Sequence, residues 1–129
     1  MNYIFTFLGS ALTFLGLDVI WIKFIAKPEL EKIASGYLKI QPNTVAAVLF
    51  YVIYLAGVLT FTIKLSNSPK QAAFIGFGIG LLAYATYELT NMATLANWSW
   101  KMVILDTAWG GILTTIASVV GYLIYAKLD

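Results

Sequence analysis

The chain contains no cysteine and no histidine. The first absence removes disulfides and thiol chemistry; the second removes the commonest transition-metal ligand and the usual general base. Arginine is missing too, since all eight basic residues are lysines, and the net charge is only +2. Scattered lysines without the guanidinium fork give no support for nucleic-acid binding. Charged residues make up 11% of 129 positions, about half the share of an ordinary soluble domain.

What the chain has instead is hydrocarbon-compatible length. Apolar runs cover Asn2 to Ile25, Thr44 to Ile63, Gln71 to Asn97 and Trp100 to Ala126. Each meets the roughly 20 residues needed to cross a ~30 Å hydrocarbon core. Backbone groups there must be satisfied internally, so the runs are expected to be helices. The expected fold is all-α: a four-transmembrane-helix antiparallel bundle forming one integral membrane domain over 1–129. The first run lacks a basic leading region and a small-residue cleavage site, so it reads as a retained helix rather than a signal peptide. A multi-pass protein of the inner (cell) membrane is the expectation.

Let side A be the membrane face reached by the end of the first helix, and side B the other. The side A connector reads "AKPELEKIASGYLKIQPN", Ala26 to Asn43. Pro28 suits a first helical position, and Glu29 and Glu31 a first turn. Leu30, Ile33, Ala34, Tyr37 and Leu38 form one apolar stripe, which predicts a short amphipathic helix lying flat in the interface. "KLSNSPK" is a polar turn on side B, and "NWSWK" a tight turn on side A. Trp98 and Trp100 fit the aromatic belt of a membrane interface. Five lysines (23, 27, 32, 39, 101) lie toward side A and three (64, 70, 127) toward side B. That bias favours a cytoplasmic side A and leaves dual topology open.

Three of the six acids, Asp18, Glu88 and Asp106, fall inside spans. A charge at mid-bilayer costs roughly 2.5–3.5 kcal/mol on insertion scales, and such residues face the bundle interior and mark function. At a rise of 1.5 Å per residue, Asp18 lies ~12 Å from side A, Glu88 ~13 Å and Asp106 ~9 Å. All three occupy one half of the membrane, and no acid lies in the other half of any span.

A second pattern joins them. Asp18-Val-Ile-Trp21 and Asp106-Thr-Ala-Trp109 share the form D-x-x-W, which puts acid and indole on one helical face. The first and fourth helices run antiparallel, so Trp109 should sit level with Asp18 and Trp21 level with Asp106. An indole N–H donates and a carboxylate accepts, which predicts crossed Asp18–Trp109 and Asp106–Trp21 contacts. In the third helix Gly76, Gly80, Tyr84, Tyr87, Glu88 and Asn91 share a face, and Gly76-x-x-x-Gly80 permits close approach. Tyr51 and Tyr54 lie at matching depth in the second helix. Tyr51, Tyr54 and Tyr84 serve packing first, given their large apolar area. Gly110, Thr114, Ser118 and Gly121 form a small-residue stripe in the fourth.

The motifs "LDVIW" (17–21), "PNTVAAVLFYVIYLAG" (42–57), "YELTNMATL" (87–95) and "DTAWGG" (106–111) together resemble a family of small four-span bacterial membrane proteins grouped as a domain of unknown function. Its signatures are Y-[DE]-L-T-N-x-A-T-L and D-x-x-W-G. The resemblance covers nearly the whole chain and implies the fold and a membrane location, with no activity attached. This chain carries Glu88 where the family would more often show Asp, and Ser99 in place of Pro.

The candidate ligand- or proton-binding residues are Asp18, Glu88, Asp106, Asn91, Trp21, Trp109, Tyr54 and Tyr87. Asp18, Glu88 and Asp106 are also the candidates for catalysis and for holding a hard cation, which carboxylates and water suit. Three functions stay open. One is proton- or cation-linked binding or transport of a small solute. In size and span count the chain is similar to small multidrug resistance transporters, which would imply a homodimer. The second is an enzyme acting on a lipid or hydrophobic metabolite, with Glu88 and Asp18 dividing acid and base roles. The third is a lipid- or pigment-binding or accessory protein. A purely structural polar knot is the alternative to all of them. Membrane lipids are the expected partners, and no cofactor is expected.

Overall fold

The computed structural model describes residues 2–33 and 43–128. Its elements are α1 (Asn2–Trp21), a π-helical turn (Ile22–Ala26), α2 (Lys27–Ile33), α3 (Thr44–Leu65), α4 (Pro69–Thr94) and α5 (Trp100–Leu128). Four helical stretches, Tyr3–Lys32, Thr44–Leu65, Pro69–Thr94 and Trp100–Leu128, are long and apolar enough to cross a membrane. The protein is an all-α four-helix bundle.

Helix starts follow local chemistry. Asn43 and Ser68 are extended N-caps whose side chains accept from Ala46 N and Gln71 N. Pro69 follows at a position where its missing N–H costs nothing. Ser99 Oγ accepts from Met102 N at 3.1 Å and opens α5 in the same manner.

α5 is the hub. Its most extensive packing is against α4, then α1, while α3 touches α1, α4 and α5. The α4–α5 contact is close because both sides are small. A Cβ added at Gly80 would collide with the Gly110 carbonyl, and one at Gly76 with Ser118. The stripe of Gly110, Thr114, Ser118 and Gly121 is buried within the chain. Phe14, Leu55, Leu113 and Ala117 form the apolar core.

Two boundaries differ from the sequence expectation. The side A connector does not open a separate helix at Pro28. Instead α1 continues through the π turn into α2, with Trp21 and Lys27 both in right-handed helical conformation and Lys27 N–H bonded to Ile22 O. A π turn inserts one extra residue and shifts the phase of everything after it, so a strict 3.6-residue stripe does not report this geometry. Of the stripe, Ala34, Tyr37 and Leu38 lie outside the described residues. Second, α4 ends at Thr94 rather than Asn97. Asn97 has a φ of 67°, a left-handed conformation that Asn tolerates better than most side chains. That reversal aims the next residue back at the bundle.

Candidate functional site

α1, the π turn, α2, α3, α4, Trp98 and α5 line a partly open cavity of about 400 Å³ in the side A half. Asp18, Glu88 and Asp106 all line it. Glu88 is fully buried, and Asp18 and Asp106 are 6% and 8% exposed. The convergence follows from depth and face: α1 and α5 pack together, and the glycine contact draws Glu88 on α4 against α5.

Both oxygens of Asp18 accept hydrogen bonds. Trp109 Nε1 donates to its Oδ1 at 3.2 Å and the Tyr51 hydroxyl to its Oδ2 at 2.8 Å. The first bond is the antiparallel D-x-x-W contact. Its counterpart takes a different form. The Trp21 indole N–H faces Asp106 without completing a hydrogen bond, and its ring stacks on Trp109 at 4.8 Å and 4°. The stacked indoles of the two crossed motifs thus lie between the two carboxyls they serve, Trp109 on Asp18 and Trp21 beside Asp106. Both indoles are half-buried.

Glu88 pairs with Asp106, carboxyl against carboxyl, rather than with Asp18. A proton on either one would bond the two together. Glu88 Oε1 accepts from Trp98 Nε1 at 2.9 Å, while Oε2 is buried with no donor beyond a proton shared with Asp106. Trp98 therefore turns inward and lines the cavity instead of standing only as a belt anchor; Trp100, 59% exposed, keeps the outward position. The signal for Trp98 lay in the short turn itself, where left-handed Asn97 precedes the indole that bonds Glu88 on α4.

The other candidates divide. Tyr54 lines the cavity and shares a 2.8 Å hydrogen bond with Thr114 Oγ1. Tyr87 lines it from an exposed position. Asn91 is half-buried and is not among the lining residues. Trp109 stands behind the wall, acting on Asp18 from the α5 side. Tyr51 and Tyr84, expected mainly to pack, also line the cavity, with Phe50 and Met102. The hard-cation arrangement at Asp18, Glu88 and Asp106 is not formed: among the described residues no group of three such ligands is placed to hold a metal ion. Each Asp18 oxygen accepts one bond, from Tyr51 or Trp109, and Glu88 and Asp106 are the two carboxyls in direct contact. At the rim, Lys101 Nζ bonds Glu29 Oε1 at 2.8 Å and ties α2 to the start of α5.

No curated protein and no solved structure matches the chain. A family model described as "Predicted membrane protein (DUF2177)" matches residues 3–123. Because that match takes in most of the chain, the chain belongs to this DUF2177 family of predicted membrane proteins.

Proposed function

We propose that this protein binds a small solute in its carboxylate cavity, within a bacterial inner membrane, and links that binding or its passage to a proton or another cation. One observation carries the reading: three in-span acids line a single cavity whose lining residues include no lysine. Carboxyl groups cost free energy in an apolar bundle, and a basic partner or a displacement to the surface would relieve it. A structural knot needs one such group; three facing an open volume suit exchange of protons or cations. The adjacent Glu88 and Asp106 can hold one proton between them and release it as a cation arrives.

The test is labelling by an apolar carbodiimide, which reacts with protonated carboxyls, in membranes containing the native protein. Mass spectrometry should place the adduct on Glu88 or Asp106, with labelling that falls as the medium is made alkaline. Folded protein that takes no label from acidic to alkaline pH would overturn the reading.

The Glu88–Asp106 juxtaposition also favours a second reading, a membrane enzyme in which one carboxyl donates and the other accepts a proton. Comparative lipid mass spectrometry of cells carrying native protein or Glu88→Gln separates it. A lipid species that appears with the native protein and vanishes with the variant supports the enzyme; identical profiles at equal protein levels remove it.

A further inference from the structure

We propose that a groove between α1 and α3, on side B and away from the carboxylate cavity, is the seat of one anionic phospholipid. Its phosphate rests against Lys64, and one of its acyl chains runs along the groove toward the middle of the membrane.

The groove has a volume of about 340 Å³ and lies between the first turns of α1 and the last turns of α3. Its wall is apolar: Phe7 comes from α1, and Ala56, Leu59 and Ile63 from α3. Thr60 also lines it, but its hydroxyl donates to the Ala56 carbonyl one turn back and so offers the groove no free proton. The floor is set by α5. Leu59 is buried there against Gly121, where an added Cβ would strike its side chain. Lys64 stands at the mouth, and Tyr3, packed on Tyr125 of α5, stands at the same end. Eight residues separate Lys64 from Ala56, about 12 Å of helix at 1.5 Å per residue. The groove therefore leads from the side B surface well into the hydrocarbon.

The order of chemistry along it selects the occupant. Hydrocarbon suits the wall, and an anion suits the mouth. Lys64 is exposed and pairs with no acid among the described residues. Lys70 and Lys127 lie at the same membrane face, whereas the described acids (Asp18, Glu29, Glu31, Glu88 and Asp106) all belong to the side A half. Basic pockets between transmembrane helices take anionic headgroups. A soluble anion would use the lysine and leave the apolar wall unfilled. A lipid without net charge would fill the wall and leave the lysine uncompensated. A second copy packed in the same orientation would bring three more lysines to side B and no described acid to meet them. An anionic phospholipid satisfies wall and mouth together.

The experiment places the purified full chain in nanodiscs of phosphatidylglycerol and phosphatidylcholine, with matched acyl chains in equal amounts. Native mass spectrometry then counts the lipids each chain retains. One phosphatidylglycerol per chain is expected, favoured about fivefold over phosphatidylcholine, the weight of one lysine near an anionic surface. Lys64→Gln should abolish the preference, and Lys70→Gln should leave it. Ala56→Phe keeps every charge and fills the groove, so it should release the lipid. Ala56 and Lys64 are both exposed, and circular dichroism checks that each variant keeps its helices. Equal retention of the two lipids by native protein overturns the proposal, as does a preference that survives Lys64→Gln. Retention by Ala56→Phe at the native level places the lipid outside the groove and overturns it too. A native chain that retains no lipid refutes it outright; if that chain is a dimer, the groove is covered by a second copy instead.

Discussion

The Trp98–Glu88 hydrogen bond gives a prediction whose size follows from the structure. The bond is 2.9 Å long, and its acceptor belongs to a side chain that is fully buried. Apart from a proton shared with Asp106, Trp98 Nε1 is the one side-chain donor Glu88 has among the described residues. Trp98→Phe keeps a ring and removes the N–H. A neutral hydrogen bond contributes about 0.5–1.5 kcal/mol and one to a charged group about 1.5–3 kcal/mol. Cycles between membrane helices run lower, averaging ~0.6 and reaching ~1.7 kcal/mol. Burial places this bond toward the upper part of that range, so Trp98→Phe should cost about 1–2 kcal/mol. The assay is unfolding in mixed micelles by added SDS, followed by far-ultraviolet circular dichroism, within a double-mutant cycle. In a Glu88→Met background the acceptor is gone, and the same Trp98→Phe change should cost only what the smaller ring loses in packing. Additivity of the two changes to within ~0.3–0.5 kcal/mol would mean no direct interaction. That result would return Trp98 to the role of an interface anchor and refute the inward geometry.

Tyr51→Phe removes the shorter of the two bonds to Asp18 and should lower stability by about 0.5–1.5 kcal/mol in the same unfolding assay. Trp109→Phe should cost more than its own 3.2 Å bond to Asp18, because it also disturbs the stack on Trp21; equal effects of the two substitutions would deny the stack any contribution. Gly80→Val places a side chain against the Gly110 backbone carbonyl, which cannot move aside as a flexible side chain could. It should destabilise by about 1–3 kcal/mol or more, whereas Gly57→Ala, which meets nothing within 4 Å, should leave the unfolding midpoint at or above its native value, as helix propensity favours Ala.

The bundle was legible in the sequence because its constraints are one-dimensional. Span length fixes the number of crossings, a 1.5 Å rise per residue fixes the depth of each acid, and 3.6-residue periodicity fixes which residues share a face. Those three facts were enough to bring Asp18, Glu88 and Asp106 to one level. The reversed D-x-x-W motifs then gave the Trp109–Asp18 bond. The buried face of Gly76, Gly80 and Glu88 was set in the same way.

Tertiary structure decided what depth and face leave free. Which acids pair depends on lateral position: glycine contacts between α4 and α5 put Glu88 against Asp106 and leave Asp18 to Tyr51 and Trp109. The Trp21 N–H lies beside Asp106 without the close geometry of the Trp109–Asp18 bond, and its ring stacks on Trp109, a contact set by neighbours distant in sequence. Trp98 turned inward through one left-handed residue at Asn97, a backbone choice that carries no hydrophobic signature. The π turn at Ile22–Ala26 carried α1 into α2, where periodicity assumed a break. Sequence dictated where along the membrane each group must lie, since rise per residue is a property of the helix alone. Azimuth, pairing and the cavity between helices belong to packing, which no single segment contains.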